Sequence, residues 1–72
     1  METVIIKVGY KGYAKVTYED GTIIRISPDE WKDLQIARAK CRSDYGDAVE
    51  AVWYYGRIME LRAKKPVWKP LS

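Results

Sequence analysis

The chain has no histidine, no phenylalanine and a single cysteine, Cys41, among its 72 residues. Each absence closes off a class of function. Without histidine no side chain titrates unaided near neutral pH, so ordinary general acid–base catalysis and the Ser-His and Cys-His nucleophile pairs have no basis. One cysteine cannot close an intrachain disulfide, and the usual zinc ligand sets are missing. No stretch is long and apolar enough to span a bilayer, and there is no internal repeat or low-complexity tract. The expectation is a protein that is not an enzyme and has no metal or cofactor.

A chain of this length lies near the lower limit for one self-sufficient core. The reading is one α+β domain over 1–65 with a Pro- and Trp-containing tail over 66–72. With disulfides and metals unavailable to a small core, association is the compensation that is left. A free thiol, and an N-terminus (Met1-Glu2-Thr3-Val4-Ile5-Ile6) without the basic and apolar regions of a secretory leader, point to the cytoplasm.

What is present is β-patterning followed by helix. Thr3–Val8 alternates, with Val4, Ile6 and Val8 on one side. Tyr13–Tyr18 alternates again, and Thr22–Ile26 is almost wholly β-branched. A three-residue Glu19-Asp20-Gly21 turn, closed by glycine in the left-handed region, pairs Val16 with Ile24 and Ala14 with Ile26. A two-residue turn would instead put Arg25 on the apolar face, so the longer one is chosen. The other face then carries Lys7, Tyr13, Lys15, Thr17, Ile23 and Arg25.

Ser27-Pro28-Asp29-Glu30 reads as a capping box opening a first helix, with Trp31, Leu34, Ala37 and Cys41 on one face and an end near Arg42. Cys41 is expected to be a buried structural thiol. Asp29, Glu30 and Asp33 suit the positive end of that helix better than a metal site. A second helix spans Asp47 to about Lys65, where Pro66 stops it. Its main apolar stripe is expected at Ala48, Ala51, Val52, Tyr55, Ile58 and Met59, with Trp53, Tyr54 and Leu61 outside it. Gly56 costs a helix about 1 kcal/mol relative to alanine and hints at something packed closely there. The expected fold is a three-stranded antiparallel meander followed by two antiparallel helices on one sheet face, βββαα.

Two functions of different kinds fit. The first is protein binding, to itself or to another protein, through Trp53, Tyr54, Arg57, Leu61 and Trp68. Three Trp and six Tyr beside no Phe favour half-wet contact surfaces over a purely dry core. In size and composition the chain resembles phage and mobile-element products that bind and inhibit host machinery. The tail either docks on its own domain, covering Trp53 or Leu61, or leaves that surface to a partner.

The alternative is a small basic nucleic-acid binder. Basic residues outnumber acidic ones by 13 to 10. The open sheet face offers Lys7, Lys11, Tyr13, Lys15 and Arg25, cations interleaved with an aromatic. Further cations crowd the two helix ends: Arg38, Lys40 and Arg42, then Arg57, Arg62, Lys64, Lys65 and Lys69. Gly9-Tyr10-Lys11-Gly12 has the GxxG spacing of the KH backbone clamp, but that loop joins helices, whereas this one joins strands and serves as a turn.

Overall fold

In the computed structural model, which describes residues 3–68, three strands precede two helices. They are β1 (Ile5–Val8), β2 (Ala14–Thr17), β3 (Ile23–Ile26), α1 (Pro28–Tyr45) and α2 (Asp47–Lys64). The sheet order is β1-β2-β3, antiparallel throughout. This is the βββαα arrangement that the alternation and capping signals imply.

Register follows from the β2–β3 turn. Tyr18 N–H donates to the Thr22 carbonyl at 2.8 Å and Gly21 N–H to the Tyr18 carbonyl at 3.0 Å. Gly21 sits at φ +90°, the left-handed position that a three-residue hairpin loop requires. Val16 therefore faces Ile24 and Ala14 faces Ile26, while Ile6 and Val8 extend both rows onto β1. The β1–β2 connection is a tight 3-10 turn, Tyr10–Gly12, in which Lys11 takes φ 57°.

Ala14, Val16 and Tyr18 of the second hairpin arm, Ile24 and Ile26 of β3, Leu34 of α1 and Ile58 of α2 form the core. Burying each of the larger aliphatic chains contributes about 1.5–3 kcal/mol. Tyr18 is buried among them, and its hydroxyl donates to the Ile58 carbonyl at 2.6 Å. Phenylalanine would fill that space without the bond. Core depth falls off toward β1: Val4 and Ile6 pack against the cluster, but Val8 is 55% exposed.

Ser27 caps α1 as its sequence implies. Its Oγ accepts the Glu30 N–H at 3.3 Å and donates to the Glu30 carboxylate at 3.1 Å. The helix does not stop near Arg42, however; it runs on to Tyr45 and breaks at Gly46 alone, which takes φ 92°, ψ 172°. Gly46 ends one helix and starts the next: its N–H reaches the Arg42 carbonyl, and its own carbonyl accepts from Glu50. No side chain caps α2, because one glycine in an otherwise forbidden conformation makes the whole turn.

The helices lie antiparallel. Contacts from Arg38 to Glu50, Gln35 to Tyr54 and Glu30 to Lys65 run in opposite senses along the two. They also settle which side of α2 faces inward. Ile58 of the expected stripe points to the core, and it is joined there or against α1 by Glu50, Trp53, Tyr54 and Leu61, which lie to one side of that stripe. Val52 of that stripe is 74% exposed, and Ala48 and Ala51 are exposed too. Ile58 and Met59 of that stripe do reach the core, but its N-terminal half is turned outward, and Glu50 and Tyr54 meet polar partners on α1 in its place.

Candidate functional site

Sorting the cations by what they touch divides the molecule in two. On the helical side six of the eight cations face a carboxylate, Lys32 and Lys40 of α1 being the exceptions among the described residues. Arg38 and Arg42 converge on Glu50, which is only 4% exposed. Hydrogen bonds from Arg38 and then Arg42 hold the Glu50 carboxyl below its ordinary range, and Glu50 in turn raises Arg42. Lys64 and Arg57 meet Glu60, whose pKa Lys64 chiefly lowers. Arg62 approaches Asp20 at 3.7 Å, and Lys65 binds Glu30. Asp20 is lowered mainly by the Thr22 backbone N–H, Glu30 mainly by Lys65. The basic clusters expected at the helix ends are therefore largely neutralised within the fold.

The sheet's outer face is the opposite case. Lys7, Lys15 and Arg25 stand directly beside one another across the three strands. Like charges opposite each other in a sheet are destabilising. Lys11 protrudes from the adjoining turn. Among the described residues none of these four cations has a carboxylate partner. Three of them sit instead against aromatic rings, and Lys7 against none. Arg25 lies 4.4 Å from the Tyr13 ring centroid and 5.4 Å from that of Trp68; Lys15 lies 5.9 Å from Trp68, and Lys11 lies 5.2 Å from Tyr10. These distances are within cation–π range, an attraction that leaves the positive charge uncancelled.

Trp68 reaches this face because the tail folds back along the free edge of β3, its N–H donating to the Ile23 carbonyl at 2.7 Å. It does not cover Trp53 or Leu61. Residues 69–72, including Lys69 and the rest of the tail, lie outside the described residues. No family model, no curated protein and no solved structure matches the chain.

The structure thus separates the residues proposed for protein contact. Trp53, Tyr54 and Leu61 pack against the core, and Arg38 stacks on Tyr54 at 4.0 Å. Arg57 is tied to Glu60, and Trp68 is on the far side of the sheet. Trp53, Arg57 and Leu61 line one groove between α1 and α2, and Trp68 stands apart from them. Lys7, Lys15, Arg25 and Tyr13 do come together, with Lys11 beside them.

Tyr10, 82% exposed next to Lys11, belongs with this group and carried a usable signal: an aromatic between two turn glycines has no core to enter. On the helical side a groove of about 850 Å³ runs between α1 and α2, lined in part by Leu34, Trp53 and Gly56. Nothing packs at Gly56, where an added Cβ meets open space. Cys41 is partly exposed and not the buried thiol expected. Among the described residues no cluster of Cys, Asp and Glu is placed to hold a metal, and no helix is long and apolar enough to cross a membrane.

Proposed function

We propose that this chain is a small binding protein whose sheet face grips the phosphate backbone of a nucleic acid. The observation that carries the reading is the row Lys7–Lys15–Arg25, three cations placed side by side without counter-charge among the described residues, whereas most of those on the helices are paired. A repulsive row is costly for the free protein and is relieved by a polyanion. Tyr10, Tyr13 and Trp68 add ring surface beside the cations, as binding to phosphate and bases together requires. The test is a titration of the full chain with labelled oligonucleotide at low and high salt, beside polyglutamate as an anion without bases. Salt-sensitive binding of the oligonucleotide, lost in Lys15→Glu and Arg25→Glu, supports the reading. Equal binding of polyglutamate would replace it with recognition of an acidic protein.

A second reading, protein contact through α2, rests on a different observation. Val49 and Val52 are exposed side by side next to Trp53 and form an apolar ridge flanking the interhelical groove. A second copy of the chain, docking ridge to ridge, would cover it. Light scattering over a concentration series should then show a dimer that Val52→Glu disperses. A monomer at every concentration would end this reading.

A further inference from the structure

Resting on the nucleic-acid reading above, the geometry points to a single strand with unstacked bases, not a duplex, as the ligand of the sheet face. A duplex offers this surface phosphates and shielded base edges; a single strand offers phosphates and open base faces. The site is built for both parts of the latter. Three of its cations lie against rings: Lys11 against Tyr10, Arg25 against Tyr13 and Trp68, and Lys15 against Trp68.

Position matters as much as composition. Trp68 is anchored by a backbone hydrogen bond to Ile23, and its indole lies beside Lys15 and Arg25, at the β3 end of the cation row. A ring fixed before binding gives up less rotational freedom when a base stacks on it. The Tyr13 ring meets the same Arg25 guanidinium, so Tyr13 and Trp68 flank one cation, and Tyr10 stands on the turn between β1 and β2. Neighbouring strands are about 4.8 Å apart, so Lys7 to Arg25 spans about 10 Å, which is enough for a few nucleotides lying across the strands. Nothing rises from the four-residue strands to enter a groove. A flat platform with ring faces suits bases presented face-on, whereas major-groove readers project a helix or ribbon into the duplex.

Fluorescence anisotropy of the full chain with a labelled oligo-dT, and with a duplex of equal length, separates these cases. The single strand should bind the tighter of the two. Trp68→Ala should weaken oligo-dT binding about 5- to 150-fold, the range expected for one lost stacking partner, while changing duplex binding little. Trp68→Tyr, which keeps a ring, should restore most of the loss. Oligo-dT should also quench tryptophan emission in the wild type and not in Trp68→Ala, since Trp31 and Trp53 pack against the core on the other side of the sheet. Duplex binding as tight as single-strand binding, or oligo-dT binding indifferent to Trp68→Ala, would overturn the single-strand assignment and leave backbone binding standing. Binding of neither would overturn both.

Discussion

Neutralising one sheet cation should change the salt dependence of binding by a definite amount. Lys7, Lys11, Lys15 and Arg25 are the cations available to phosphates on the sheet side. Each phosphate neutralised on a single strand contributes about −0.7 to the slope of log K against log salt, so four give about −2.8. Between about 50 and about 200 mM salt, affinity should then fall about 50-fold. Lys7→Gln removes one contact from an exposed residue that touches no ring, and the slope should drop to about −2.1. Lys15→Gln should act alike, with a thermal melt to show that Trp68 and the sheet survive. Lys64→Gln is the control: it is also exposed, but its charge is committed to Glu60, and the slope should stay put. Anisotropy at several salt concentrations reads all of these. A Lys64 variant losing as much slope as the Lys7 variant would refute the argument, because binding would then follow net charge and not the sheet.

The remaining predictions concern the scaffold. The two helix-region glycines should respond in opposite directions to alanine. Gly56→Ala enters open space inside a helix and should stabilise by about 0.4–1 kcal/mol, raising the melting temperature by a few degrees. Gly46→Ala is forced into φ 92° and should destabilise by about 1–3 kcal/mol. Calorimetry of the two decides, and two shifts of the same sign would contradict the backbone reading. Acid should loosen the helix pair. Glu50 titrates lower in the fold than its ordinary value near 4.5, so its share of stability is full above that value and is lost as pH falls through the depressed one. Denaturant midpoints across acid pH should show that loss in the wild type and a flatter profile in Glu50→Gln.

What could be read from the residues was whatever is settled locally. The β2–β3 register follows from a three-residue turn and a two-residue period. The start of α1 follows from Ser27, Pro28 and Glu30. The same alternation that puts Val16 and Ile24 inside puts Lys15 and Arg25 outside, so most of the sheet site came with the register. The rotation of α2 was only partly legible, Ile58 and Met59 being the stripe residues that reach the core. It is fixed by Glu50 meeting two arginines and by Tyr54 meeting Gln35, partners 8 to 19 residues away in the chain. An apolar count is blind to them. The tail was half legible: its apolar residues implied docking, but only the free edge of β3 shows where Trp68 goes.

Gly46 carries a consequence for what this chain is as an object. It is the single residue between two 18-residue helices. With helical torsions at that one position, α1 and α2 would join into a rod of about 55 Å, at 1.5 Å per residue. The rod would strip α2 from the sheet and leave the cradle of Ile24 and Ile26 open to the α2 of another molecule. A folded-back monomer and an exchanged pair are thus the same set of contacts, distinguished by one pair of dihedral angles. Apart from the entropy of association, the energy separating them is not distributed over the core; it is concentrated in the torsions of one glycine.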